Sequence, residues 1–333
     1  MDSNNTFAWL ASGNAPLLYP TEIVTGDFLA EDLSKTRIPP ALPFANKWGT
    51  PVSMHLSSET RPAPKFIIIG WFSIVDHKFY AVVDELPKDK IEALLGSRNE
   101  QTKKPAYNTL IAGMAPYGKL ALWLSGHGMT TEVGWLQGKE ITMSMKEFAP
   151  RSQLSREEYA EKALTSCKEA ADNLRANGLP DPALFDRYMQ KFNYCITPKF
   201  EKDDEFEGIE LYYFNGELNT TMSDEYATHD MRAKPYKIVL NWRNGKKQYG
   251  GYFWIDEPKL IETFQQCFGT EPEQEGNLTI QVGASANQFQ FSLQTKEATV
   301  EIPSEDMQYI IFKNKFEFLR SPNYKKPPQG WRN

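Results

Sequence analysis

Apolar and polar positions along the chain predict a hairpin, a short helix and a second hairpin in each half. Residues 66–75 and 79–83 are rich in β-branched and aromatic side chains and are separated by a polar turn, which is typical of a β-hairpin. In the second half Asn244-Gly245 separates two similar stretches, and this dipeptide favours a type I′ turn with positive φ at both central positions. Polar and apolar residues alternate over 288–293, which predicts a strand with one face in water.

Each predicted helix carries sequence signals at its ends. Pro87 and Pro258 are expected in the first helical turn, where the missing N–H costs nothing. Asp256 is a predicted N-cap of the second helix. Gly96 and Gly269 are expected to end the helices in a left-handed conformation.

The two halves match each other at a nearly constant offset. Three pairs of residues recur 171 positions apart: Trp71 and Trp242, Pro87 and Pro258, and Lys88 and Lys259. Residues 110–113 match 280–283 at an offset of 170, and residues 22–28 resemble 210–216 more loosely. Such an offset indicates duplication of one structural unit.

A helical segment is predicted between the copies. Ser155-Arg-Glu-Glu158 has the pattern of a capping box, and apolar residues at helical spacing follow it as far as Asn177-Gly178. The predicted fold is therefore α+β, with two tandem, internally repeated antiparallel-sheet domains, each with a short helix on one face. We expect a first domain at 1–150, a helical connector at 151–191 and a second domain at 192–333.

Composition limits the classes of function. Apolar residues make up 41% of the 333 residues, which is enough for packed cores. The net charge of −6 argues against a nucleic-acid partner, because such a protein needs a basic surface to neutralise phosphates. The longest apolar run, residues 66–75, is about half of the ~20 residues that a transmembrane helix requires, so no membrane-spanning segment is predicted.

Catalytic and metal-binding signals are weak. The sequence has no GxSxG, HExxH, Walker or GxGxxG motif, and its histidines lie in scattered polar or turn-like contexts: His55, His77, His127 and His229. Cys167, Cys195 and Cys267 are widely spaced without a CxxC pair; burial as small apolar residues and a Cys167–Cys195 disulfide both remain open. We therefore predict no catalytic residues, no metal and no cofactor.

A binding role has better support from the sequence. Rigid loops rich in proline and aromatic residues lose little entropy on binding, although the same loops also cover sheet edges. The acidic run Asp203, Asp204 and Glu205 is expected to meet a basic partner surface, and Tyr324 and Trp331 are expected to anchor it.

Several motifs in the first 150 residues resemble a bacterial family of unknown function. They are Trp48-Gly49, the stretch 64–71, Lys78-Phe79-Tyr80, Leu86-Pro87-Lys88, Gly113-Met-Ala-Pro-Tyr-Gly118 and Leu122-Trp123-Leu124. Many members are periplasmic lipoproteins, and some look like immunity proteins for phospholipase effectors of type VI secretion systems. The resemblance implies that this chain binds and neutralises a cognate toxic effector of the lipase or phospholipase class, in the periplasm.

Two other functions and one other location stay open. Family members commonly carry a leader and a lipid-modified cysteine, whereas this sequence starts with Met1-Asp2-Ser3 and has no cysteine before Cys167, so a cytoplasmic location is the alternative. The first functional alternative is a non-catalytic envelope protein that binds a peptide, glycan or lipid. The second is a hydrolase with an unfamiliar site around His127 or His77.

Overall fold

The computed structural model describes residues 5–40, 44–52, 59–99, 102–284, 288–314 and 317–319. The chain forms two compact units: unit 1 extends to Leu184 and unit 2 begins at Phe185. β-strands dominate and six α-helices accompany them in these ranges, so the predicted α+β class is confirmed. The finer division into 1–150, 151–191 and 192–333 stays a prediction.

Unit 1 consists mainly of short strands. Its elements are β1 (Thr6–Ala8), β2 (Leu10–Asn14), β3 (Thr21–Leu29), β4 (Lys35–Arg37), β5 (Thr60–Pro62), β6 (Phe66–Ser73), β7 (Lys78–Glu85), α1 (Lys88–Gly96), β8 (Thr109–Met114), β9 (Lys119–Gly126), β10 (Met129–Gln137), β11 (Lys139–Ile141), α2 (Met145–Phe148), α3 (Arg156–Thr165) and α4 (Lys168–Asn177). Strands β11-β7-β6-β3-β4 form one antiparallel sheet, and β2-β8-β9-β10 lie side by side in a second layer.

The core of unit 1 lies between these two layers. Inward side chains of the first sheet, such as Ile69 and Trp71, pack with Leu110 and Leu122 of the second layer and with Ile91 of α1. The prediction of one sheet with a helix across it is therefore incomplete, because unit 1 has a second β layer. A helix of nine residues is only about 13 Å long and cannot cover the sheet alone, so a second β layer completes the core.

The outer face of the first sheet carries helices α2, α3 and α4. Phe72 and Phe79 of the sheet pack against Ala160 and Leu164 of α3 and Ala170 of α4. The predicted capping box is confirmed, because the Glu158 N–H donates to Ser155 Oγ at 3.1 Å and the Ser155 N–H donates to Glu158 Oε2 at 2.7 Å. The predicted continuous helix is two helices.

Unit 2 also consists mainly of strands arranged in two layers. Helix α5 (Leu184–Met189) starts at the boundary, and the remaining elements are β12 (Phe192–Phe200), β13 (Glu205–Tyr213), β14 (Leu218–Thr221), β15 (Asp230–Arg232), β16 (Pro235–Asn244), β17 (Lys247–Ile255), α6 (Glu257–Phe268), β18 (Gly276–Val282), β19 (Phe289–Thr295), β20 (Thr299–Ile302), β21 (Met307–Lys313) and β22 (Glu317–Leu319). Strands β14-β13-β16-β17-β21-β22 are antiparallel neighbours, and β15-β12-β18-β19-β20 form the other layer.

One strand pair in each unit departs from the predicted antiparallel arrangement. Strand β2 runs parallel to β8, with Leu10 opposite Thr109, and β12 runs parallel to β18, with Tyr194 opposite Gly276. Parallel strands need a long crossover connection, and in each unit the first hairpin and the helix supply it. Local sequence patterns do not predict this parallel pairing, because the paired strands are far apart in the sequence.

The helix ends follow the predicted signals in unit 2 but not in unit 1. Asp256 caps α6 by accepting the Lys259 N–H, Pro258 lies in the first turn, and Gly269 ends the helix with φ 53°. Gly96 does not act as a left-handed cap. Instead Ser97 follows α1 in an extended conformation, and its hydroxyl donates to the Leu94 carbonyl at 2.6 Å.

The two first hairpins share a cross-strand pair and a bulge. Trp71 pairs with Tyr80, and Trp242 pairs with Tyr249, with ring centroids 5.7 Å and 5.6 Å apart. On the neighbouring strand the register shifts directly after the residue opposite each tryptophan, Ile23 in unit 1 and Phe206 in unit 2. In this register Glu22 and Glu205 occupy corresponding positions, 183 residues apart, whereas the looser sequence match of 22–28 to 210–216 has an offset of 188.

The turn between β16 and β17, in the first hairpin of unit 2, also differs from its prediction. Asn244 pairs with Lys247, so the central turn residues are Gly245 and Lys246 rather than Asn244 and Gly245. Positive φ occurs only at Gly245, at 56°. A positive φ at the first central position alone is the type II′ pattern.

Candidate functional site

A concave surface of unit 2 lies on the outer face of its six-stranded layer. One row of residues aligned across four strands forms its floor: Gly208, Asn241, Gly250 and Phe312. The opposite face of the same strands carries Ile209, Leu240 and Ile311, which belong to the core. Because side chains alternate along a strand, the floor row points away from that core.

Missing side chains create this concavity. Gly208 and Gly250 leave a groove of about 620 Å³, a volume within the usual range for small-ligand pockets. A Cβ on Gly250 would lie 3.1 Å from Asn241 Oδ1, so a larger side chain would fill space that the groove now leaves open. Thr220, Thr221 and Met222 line one wall, and Met222 is 73% exposed. We call this feature the unit 2 groove.

Aromatic rings and a buried lysine continue the same face beyond the floor. Tyr252 lies edge-on to Phe312 at 5.3 Å and stacks beside Trp254 at 6.1 Å. Lys237 is only 4% exposed, and its Nζ lies 4.4 Å from the Tyr212 ring centroid and 5.5 Å from each of the Tyr252 and Trp254 centroids. Burial lowers the pKa of Lys237. The rings stabilise its charge through cation–π contacts and form a rigid wall.

Two carboxylates, Glu207 and Glu210, belong to the part of the groove lining that the structure describes. Arg243 forms an ion pair with Glu207, and Glu210 interacts electrostatically with Lys237. Glu210 Oε2 accepts the Tyr212 hydroxyl at 2.8 Å, and Glu207 Oε1 accepts Arg243 Nε at 2.6 Å. These bonds fix both carboxylates in position. The groove is therefore suited to a ligand or partner surface that offers a cation or hydrogen-bond donors beside an apolar group.

The predicted acidic run lies at the end of the strand that supplies both carboxylates. Glu205 is the first residue of β13, and Asp203 precedes it in the turn; both are exposed. Asp204 is partly buried and accepts a hydrogen bond from the Asn244 amide. We call Asp203, Asp204 and Glu205 the acidic edge. Tyr324 and Trp331, the other predicted contact residues, lie outside the described residues.

The histidines occupy separate turns and loops. His77 lies in the turn between β6 and β7 with φ 54°, and His127 forms the exposed tip between β9 and β10 with φ 43°. His229 is exposed in unit 2, and His55 lies outside the described residues.

The cysteines are free thiols, and burial raises the pKa of Cys167 and Cys267, which makes their thiolates scarce at neutral pH.

The motif residues of unit 1 form a tight structural junction. Asp76 Oδ2 accepts the Tyr80 hydroxyl at 2.7 Å and the Tyr117 N–H at 3.2 Å. Tyr117 has φ 61°, and its hydroxyl donates to the Pro180 carbonyl at 2.7 Å. A Cβ on Gly118 would lie 2.6 Å from the Gly138 carbonyl oxygen. In Gly113-Met-Ala-Pro-Tyr-Gly118, Tyr117 and Gly118 are therefore held by packing between the first hairpin and the second layer.

Sequence reasoning missed the groove residues Tyr252, Phe312 and Glu210. Residues 250–254 contain a signal for these residues, because apolar side chains occupy both faces of this strand and both faces must therefore be covered or used in binding.

The described parts of the chain contain no group of three or more His, Cys, Asp and Glu side chains arranged for a metal ion. Among the described helices, none has the length and apolarity needed to cross a bilayer.

Fold and groove together define an α+β protein of two sheet-rich units with a concave aromatic and acidic surface on the second. The chain belongs to the family described as "Protein of unknown function (DUF2931)", whose model matches residues 1–178. This match covers nearly all of unit 1 and ends before unit 2, which carries the groove. No curated protein and no solved structure is significantly similar to the chain.

Proposed function

We propose that this chain is a binding protein that neutralises a toxic effector of the lipase or phospholipase class, as an immunity protein of a type VI secretion system does. The observation that carries the binding role is the unit 2 groove, with its rigid aromatic wall and two fixed carboxylates. Aromatic residues dominate the energetics of protein interfaces when they fill or form pockets. The resemblance of the unit 1 motifs to immunity proteins makes the effector class the partner to test first.

Charge supports a basic partner surface. Glu205 of the acidic edge and both groove carboxylates lie on the same strand, β13, the other two residues of the edge directly precede it, and the whole chain has a net charge of −6. Opposite charges at the rim of an interface raise the association rate and make it sensitive to salt. We therefore propose that the acidic edge steers the effector and that the groove receives an apolar or aromatic group flanked by a cation.

The proposed location is the periplasm, with a lipid anchor, and the cytoplasm is the alternative. Fractionation of cells that express the full natural gene distinguishes them.

The duplication predicted from the sequence is also part of the proposal. In both units a parallel strand pair, a hairpin with a Trp–Tyr pair, a helix and a second hairpin follow in the same order. The functional consequence is a difference between the copies. Where unit 2 has Tyr252, the register of unit 1 places Val83, which is 76% exposed. The groove is then a specialisation of the second copy.

Co-purification with the product of an adjacent effector gene tests the function. We expect a stable complex and restored growth of cells that make the toxin in the periplasm. A chain that neither binds that effector at micromolar concentration nor restores growth contradicts the proposal.

The acidic edge has its own test. Asp203→Asn together with Glu205→Gln should slow association and flatten its salt dependence, because exposed charges act mainly on the on-rate. Glu297→Gln, at an exposed carboxylate in the turn between β19 and β20 of unit 2, is the control. An on-rate that is equal in both variants removes the acidic edge from the interface.

The second candidate is an envelope protein that binds a glycan or peptide. The groove favours it specifically through the amides of Asn241 and Gln248 beside Tyr252, since amide and aromatic groups together suit sugar rings and peptide bonds. Binding of cell-wall oligosaccharides or peptides that is lost on filling the groove, in a chain that does not bind the effector, decides for this candidate.

A further inference from the structure

A second cavity lies in unit 1, beside the helices that cover the outer face of the first sheet. It has a volume of about 680 Å³ and is bounded by β3, by the loop that follows α2, and by α3. The side chains that decide its chemistry are Glu22, Arg151, Tyr159 and Lys162. Neither the proposed function nor the sequence motifs make use of it.

An aromatic cluster gives the cavity a rigid wall. Phe148 and Tyr159 both line it, with ring centroids 5.3 Å apart, and Phe148 also packs on Phe72 at 5.4 Å and Phe79 at 5.2 Å. The capping box at Ser155 fixes the first turn of α3, on which Tyr159 lies. The apolar wall is therefore preformed and does not need to be ordered by a ligand.

A carboxylate with unused acceptor capacity faces this cavity. Glu22 Oε2 accepts the Tyr159 hydroxyl at 2.9 Å, and Glu22 forms no ion pair within the described ranges. Burial raises the pKa of Glu22, and the hydrogen bond from Tyr159 opposes that shift. A carboxylate can accept about four hydrogen bonds, so most of its capacity remains for a ligand.

Two cations stand at the same cavity without partners. The exposed side chains of Arg151 and Lys162 form no ion pair and no side-chain hydrogen bond with any residue that the structure describes. A ligand that pairs with all three groups carries both signs of charge, and a ligand that also covers the aromatic wall has an apolar part.

We propose that unit 1 holds a binding site for a zwitterionic ligand with an apolar body, in which Glu22 receives the ammonium group and Arg151 and Lys162 receive the anionic group. An ammonium bound to a partly desolvated carboxylate forms a charge-assisted hydrogen bond, stronger than one between neutral groups. The apolar body lies against Phe148 and Tyr159. Short apolar peptides and phosphatidylethanolamine lipids share this chemistry.

Calorimetric titration of the full chain tests the site with two zwitterions, leucyl-phenylalanine and dihexanoyl phosphatidylethanolamine below its micelle concentration. We expect saturable binding of at least one, and the stronger of the two identifies the source. Glu22→Gln keeps an acceptor for Tyr159 but removes the charge, and it should weaken binding about tenfold to a hundredfold. Glu161→Gln, on the same helix as Tyr159 but outside the cavity lining, should leave affinity unchanged.

Modified peptides separate the two charges. N-acetyl-leucyl-phenylalanine should bind no better to the natural chain than to the Glu22→Gln variant, and the peptide amide should be insensitive to Arg151→Gln and Lys162→Gln. Equal binding of the parent peptide to the natural chain and to Glu22→Gln overturns the proposal. Failure of both zwitterions to bind at millimolar concentration also overturns it. These results are independent of the effector, so they do not depend on the proposed function.

Discussion

Gly113 offers a sharp test of whether the family motif in unit 1 is held by packing. A Cβ at this position would lie 2.3 Å and 2.5 Å from two ring carbons of Trp123 and 2.9 Å from Trp48. Carbon atoms in contact prefer about 3.5–4.0 Å, so Gly113→Ala requires a shift of more than 1 Å. Trp123 is fully buried and lies against Trp48 at 4.7 Å and Trp135 at 6.3 Å, which leaves little space for that shift.

The expected cost is about 3 kcal/mol, the upper part of the range for overpacking a core. The control is Gly134→Ala on β10, where an added Cβ meets nothing within 4 Å. That variant should be unchanged or stabilised by up to about 1 kcal/mol, because alanine restricts the unfolded chain. Urea denaturation monitored by tryptophan fluorescence should place the two midpoints about 1–2 M apart. Coincident midpoints would refute the packing explanation.

Two further predictions concern stability. Lys234 is 1% exposed, its Nζ donates to the Arg187 carbonyl at 2.7 Å, and burial, with a smaller contribution from Arg187, lowers its pKa to about 8. Between pH 8 and the ordinary lysine pKa the unfolded state therefore binds more protons than the folded state, so the free energy of unfolding should rise as pH increases from about 8 to 9.5. The Lys234→Met variant should lose this pH dependence. Equal slopes for the natural chain and the variant, measured by urea denaturation at a series of pH values, would contradict the prediction. Ser155→Ala removes the capping box of α3 and should cost about 1 kcal/mol, whereas Ser166→Ala, which caps no helix N-terminus, should cost less in the same denaturation assay.

Local elements of the fold were readable because local chemistry determines them. Asp256, Pro258 and Gly269 define α6 through capping, a tolerated proline and a left-handed end. Gly96 shows the limit of this reasoning, because the Ser97 side chain ends α1 without a positive φ. The same limit applies to Asn244-Gly245, whose strand register moves the turn by one residue.

Features that join distant parts of the chain could not be read from the sequence. The hydrogen bond between Tyr159 and Glu22 connects residues 137 positions apart, and the parallel pairing of Leu10 with Thr109 depends on how the layers pack. The unit 2 groove depends on four strands whose register aligns Gly208 with Gly250. A glycine in a strand indicates either that another group packs closely against the backbone or that the surface has a gap there. Only the strand register distinguishes these two cases.

The most direct test of the binding role fills the groove and measures affinity for the effector. Gly250→Val places a side chain on the groove floor, and Gly134→Val is the matched control on a strand of unit 1. Because central contacts of an interface contribute 2 kcal/mol or more, Gly250→Val should raise Kd by about thirtyfold or more, while the control stays near the natural value. Equal affinities in the two variants, with both folded, would contradict the assignment of the groove as the binding surface.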